Sequence, residues 1–106
     1  MHNEGLKIGK RYLVKEVELL LMVLHGKRLK MGELEQYLIE SLNRNQIKYL
    51  TSKLVEDKVI YKDGRGSGTI YSIHPMFTSL RGESLTEKVI DYLRTRYNIE
   101  NSPKTT

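Results

Sequence analysis

The sequence predicts a mostly α-helical domain carrying one small β-hairpin, an α+β fold. Three observations predict it. Apolar residues recur at three- and four-residue spacing in four separate stretches. Two runs of β-formers, Val59 to Tyr61 and Ile70 to Ile73, flank a glycine-rich centre, Gly64-Arg65-Gly66-Ser67-Gly68. A length of 106 residues is that of one domain with a modest core.

The elements follow in chain order. Residues 1–12 are polar and glycine-bearing, without a clear period, and read as a flexible basic arm. Its Lys7, Lys10 and Arg11 either reach phosphates or stay solvated. Leu13 to His25 reads as the first helix, with Val14, Val17, Leu20, Leu21 and Leu24 at helical spacing. Leu19, Met22 and Val23 widen the stripe, so this helix is buried on more than one side. It is either the centre of a small core or, in part, a contact with a second subunit. Gly26 ends it.

Met31 to Leu42 reads as the second helix, with Leu34, Leu38 and Leu42 in one row and Tyr37 beside it. Glu33 and Glu35 lie near its N-terminus, where the helix dipole favours carboxylates. Asn43 and Gln46 have capping-box spacing and open a third helix, about 44–57. Ile47, Leu50 and Leu54 form its apolar face. Asn45, Lys48, Tyr49, Ser52 and Lys53 form the opposite one. The hairpin comes next, with 63–68 as its tip and Pro75 as its end. After a connector, Ser84-x-x-Glu87 reads as a second capping box opening a last helix. Leu85, Val89, Tyr92, Leu93 and Tyr97 are its apolar face, with Ile90 at the margin. That helix either packs back onto the first or pairs with its counterpart in another chain. The division is thus an arm (1–12), a central domain (13–75) and a connector with a C-terminal helix (76–106).

Charge is unevenly distributed along the chain. The net charge is +5 and the pI about 9.5. Residues 43–75 hold six Lys and Arg against three Asp and Glu, whereas 13–42 hold four against five. The third helix and hairpin are therefore the most basic segment, as a one-sided polyanion-binding surface requires.

Several functions find no support in the residues. Without cysteine there is no disulfide framework, thiol nucleophile or thiolate metal site. The run Val17 to Leu24 is interrupted by Glu18 and is too short to cross a membrane. No signal-peptide pattern opens the chain. His2, His25 and His74 lack ligand spacing. Glu16 with Glu18, and Glu33 with Glu35, are two apart and do not share a helix face. Gly64-x-Gly66-x-Gly68-Thr69 lacks the Gly-Lys-Ser/Thr ending of a phosphate loop and runs into a strand. The expectation is a non-enzymatic cytoplasmic protein with no metal, cofactor or membrane partner.

A helix followed directly by a basic, glycine-rich hairpin resembles the recognition helix and wing of a winged helix-turn-helix domain. Asn43-Arg44-Asn45-Gln46-Ile47, Leu50, Leu54-Val55-Glu56-Asp57, Val59-Ile60 and Gly64 to Tyr71 carry the resemblance. With the helices before them it covers about Val14 to His74. It is similar to winged helices of bacterial and archaeal DNA-binding proteins, including those attached to RecG-helicase-like or Fic-type proteins. The resemblance implies a winged helix-turn-helix with an added C-terminal helix, binding double-stranded DNA as a transcriptional regulator. The helix at about 44–57 would enter the major groove. Asn45, Lys48, Tyr49 and Ser52 would make base-edge or mixed contacts, with Arg44 and Gln46 at the helix N-terminus. Arg44, Lys53 and Lys62 would hold phosphates, and Arg65 would reach the adjacent minor groove or its backbone. It also implies a short strand near Lys27 to Lys30 and a homodimer through Leu85, Val89, Tyr92 and Leu93. The rival reading is a winged helix that binds protein, or the appended module of a larger DNA-processing protein.

Overall fold

A computed structural model describes residues 7–9 and 11–97. Its central element is helix α1 (Val14–Leu24), whose Val17, Leu20, Leu21 and Leu24 are at most 1% exposed. Side chains this deeply buried contribute about 1.5–3 kcal/mol each. Before α1 come β1 (Lys7–Ile8) and β2 (Tyr12–Leu13). After it come α2 (Met31–Leu38), α3 (Arg44–Glu56), β3 (Ile60–Asp63), β4 (Ile70–Ile73) and α4 (Gly82–Tyr97). The mostly α composition with a small antiparallel hairpin, β3–β4, is the one expected; the second hairpin, β1–β2, is not. No helix among the described residues is long and apolar enough to cross a membrane.

α2 and α3 pack in sequence, and α2 and α4 both pack against α1. The wide apolar stripe of α1 is thereby largely used within the chain: Leu19 and Val23 are half-buried against the core, and Met22 alone of that stripe is fully open. α2 stops one turn short of the expected Leu42. The amides of Ser41 and Leu42 both bond to the Leu38 carbonyl at 2.8 Å. The chain has to turn there to give Asn43 the extended backbone (φ −83°, ψ 169°) from which α3 starts.

β3 and β4 pair antiparallel, with Ile60 opposite Ile73 and Asp63 opposite Ile70. Leu29 adds a third edge: its amide and carbonyl exchange hydrogen bonds with Tyr71 at 2.9 and 2.7 Å. The basic link at 27–30 is therefore tied to the sheet at one residue.

Three further expectations are corrected. First, the arm at 1–12 is not loosely packed where it is described. β1 and β2 form a tight hairpin in which Ile8 is 0% and Tyr12 is 2% exposed. Its turn uses Gly9 at φ +60°, where an added Cβ would stand 2.8 Å from the Cβ of Tyr97. Only glycine meets both demands. Lys10 and residues 1–6 lie outside the described residues.

Second, Ser84 is not the cap of α4. The helix begins two residues earlier, because Gly82 (φ +55°) turns the chain at once, and the Arg81 carbonyl accepts from the Ser84 and Leu85 amides. Third, the apolar face of α4 is not free for a partner. Leu85, Val89 and Leu93 are 2%, 0% and 0% exposed inside this chain's own core, and Tyr92 is half-buried. The homodimer expected through these four residues is corrected accordingly: α1 and β1 already cover that face. The frayed end expected at 101–106 lies outside the described residues.

Candidate nucleic-acid interface

α3 is fixed at both ends, and this decides which side chains it presents. At its start the Asn43 side-chain oxygen accepts the Gln46 amide, and the Gln46 side-chain oxygen accepts the Asn43 amide, both at 2.8 Å. This is the reciprocal box read from the sequence. It also spends the acceptor of Gln46, which was assigned to DNA. At its end the Val59 amide bonds to the Leu54 carbonyl (2.9 Å) and the Lys58 amide to the Val55 carbonyl (3.1 Å). That pattern is a Schellman close. Lys58 occupies its left-handed position at φ 67°, where glycine is usual.

Asp57, the residue that closes α3, is 1% exposed and anchors both ends of the described chain. Its carboxylate accepts from the hydroxyls of Tyr12 and Tyr97 and from Arg96 Nε at 3.2 Å. Arg11 Nε lies 3.6 Å away. The Asp57 carbonyl accepts from the Tyr92 hydroxyl at 2.7 Å. Burial, and then donation to Asp57, pushes the Tyr12 hydroxyl far above the ordinary tyrosine range; the same two causes raise Tyr97. Both groups therefore stay protonated donors, as the buried carboxylate needs. Asp57 has no expected role of its own beyond its place in the Leu54-Val55-Glu56-Asp57 stretch. Its place in the charged triplet Glu56-Asp57-Lys58, enclosed by Leu54-Val55 and Val59-Ile60, does not by itself tell which of the three is buried.

Between these anchors Ile47, Leu50 and Leu54 face the core, and Asn45, Lys48, Tyr49 and Ser52 are exposed. Lys48 and Ser52 share one groove with Lys62 of β3. Met31, Val55, Tyr71 and Glu56 complete its lining. Lys62 and Tyr71 are cross-strand partners, so they point to the same side of the hairpin. Three of the nine expected contacts thus come together on two elements. No ion pair engages Lys48, Lys62 or Arg65 among the described residues.

The other expected contacts fall around this groove. Tyr49 is 52% exposed, and the Lys53 ammonium lies 5.4 Å from its ring centroid. Lys53 is also 3.9 Å from Glu56, so its charge is partly offset. Arg44 reaches Glu35 of α2 at 3.3 Å, which makes it a brace between helices as well as a surface cation. Arg65 is exposed at the hairpin tip and does not line the groove. Beside the tip, Gly66, Ser67 and Thr69 face Lys30, Met31 and Glu33 at the start of α2. There the Glu33 carboxylate accepts the Lys30 amide at 2.8 Å.

Hydrogen-bonding groups of both kinds line the α3 face, and the ammonium groups of Lys48 on α3 and Lys62 on β3 border one groove with Glu56. Such an arrangement suits a polyanion with readable edges. Searches against family models, curated proteins and solved structures returned no match.

Proposed function

We propose that the chain binds double-stranded DNA as a winged helix-turn-helix, with α3 as recognition helix and the β3–β4 hairpin as wing. The order of elements supports the reading: helix, a bridging residue, two helices, a hairpin, with the bridge on β4. The observation that carries it is the convergence of Lys48, Ser52 and Lys62 in one groove, beside exposed Asn45 and Tyr49. Lys48 and Lys62 hold phosphates, while Asn45, Tyr49 and Ser52 face base edges. Arg65 extends the contact along the backbone. The protein acts as a transcriptional regulator in the cytoplasm, or as the DNA-contacting module of a larger system.

One copy offers few base contacts. Each good bidentate contact discriminates by about 1–3 kcal/mol, so one copy binds with modest sequence preference. Fluorescence anisotropy with a random duplex over a salt series tests this. Wild-type affinity should fall steeply with salt. The double variant Lys48→Glu, Lys62→Glu should lose most of its affinity, with a shallower dependence by about 0.9 per phosphate contact removed. Equal retention by wild type and double variant at low salt would remove this face from consideration.

A further inference from the structure

The back of the hairpin carries a second concavity, unrelated to the α3 groove. Tyr61 and Ser72 are cross-strand partners, and their chain neighbours Lys62 and Tyr71 line the α3 groove. By strand alternation the two pairs point to opposite faces. Tyr61 and Ser72 line a cavity of about 540 Å³ between the end of α1, the hairpin and the start of α4. That volume lies within the roughly 300–1,000 Å³ usual for small-ligand sites.

Its lining sets it apart. Core side chains form the floor: Ile73, Phe77 and Leu85 are 7%, 3% and 2% exposed. The rim is cationic, with Lys27, Arg28 and Arg81. Among the described residues no carboxylate lines it, whereas four other concavities on the surface each include at least one. Arg28 is shared with Asp63 at 3.6 Å, and Lys27 sits 4.5 Å over the Tyr37 ring. Arg81 has no ion pair among the described residues, and its side chain is exposed at the mouth. The hydroxyls of Tyr61, Ser72 and Thr78 add hydrogen-bonding partners.

We propose that this cavity binds an amphipathic organic anion: an aromatic or aliphatic body on the apolar floor, with a carboxylate or sulfonate held at the rim by Arg81. An apolar body gains from leaving water, and a charge-assisted hydrogen bond to a guanidinium orients it. The site stands independently of the DNA reading, because it uses none of the α3 residues.

The test is a fluorescence titration of the native protein with anilinonaphthalenesulfonate, alongside uncharged phenylnaphthylamine and with decanoate as competitor. Saturable one-to-one binding that decanoate displaces is expected, with the uncharged probe weaker. Arg81→Glu should weaken the sulfonate roughly tenfold. Lys88→Glu, the same charge change on α4 outside the cavity lining, should leave it unaltered. Thermal melts establish that the variants are folded, and Arg81→Gln replaces Arg81→Glu if the latter is not. Absent saturation, or equal weakening by the Arg81 and Lys88 variants, overturns the site. So does loss of duplex DNA retention in the Arg81 variant as large as in Lys48→Glu, which would make the rim part of a nucleic-acid surface.

Discussion

Asp57 gathers hydrogen-bond donors from both ends of the described chain. Two tyrosine hydroxyls and Arg96 reach its carboxylate, and Tyr92 reaches its carbonyl. A charge buried to this degree is tolerable only while those donors hold it. The tyrosines supply a pH signature. Tyr12 ordinarily ionises at 10.0, and in the fold its proton is held well above that. The stabilisation is therefore complete below the unfolded value and is lost as pH rises through the folded one. Urea unfolding of wild type should show stability falling between about pH 9 and about pH 12. Tyr12→Phe should be less stable at neutral pH by about 1–3 kcal/mol and show a smaller alkaline loss. The same alkaline loss in both proteins would exclude Tyr12 as its source. Lys58 makes the opposite case. It holds a left-handed backbone at φ 67° without glycine's freedom. Lys58→Gly should raise stability by about 1 kcal/mol in the same unfolding measurement, because it removes that strain.

At the scale of elements, α4 shows how packing resolves what periodicity leaves open. Its apolar face is consumed by α1 and β1. Leu93→Ala should therefore cost about 2–5 kcal/mol in urea unfolding, as a core truncation does. It should leave the sedimentation mass of the folded protein unchanged; a dimer that dissociates in this variant would contradict the intrachain role. The helices were legible because their apolar rows repeat at helical spacing, and the Asn43–Gln46 box announced α3 to within a residue. The hairpin was legible from β-formers around glycines. The first hairpin was not, because two two-residue strands carry no period to read. The start of α4 was misplaced for a similar reason. Ser84 and Glu87 have the right spacing for a cap, but Gly82 supplies a turn first, and local spacing cannot show which of two competing starts tertiary packing selects.

At the scale of the molecule, the two ends of the described chain meet at one place. The β1–β2 hairpin and the end of α4 close on Asp57, at the C-terminal end of α3. The exposed face of α3 remains uncovered by any described element. The face was legible as a set, since helical spacing put Asn45, Lys48, Tyr49 and Ser52 on one side. The convergence of Lys62 on Lys48 was not, because it depends on how β3 packs against α3. The same fold separates two cationic regions onto opposite faces of one hairpin, so their occupants can be told apart residue by residue. Titration of labelled protein with duplex DNA, followed by amide chemical shifts, makes that distinction most directly. Shifts should concentrate at 44–53 and 61–70 and leave Arg81 and α4 unmoved. Shifts centred on α4 or on Arg81, with Lys48 and Ser52 silent, would contradict the interface assigned to α3.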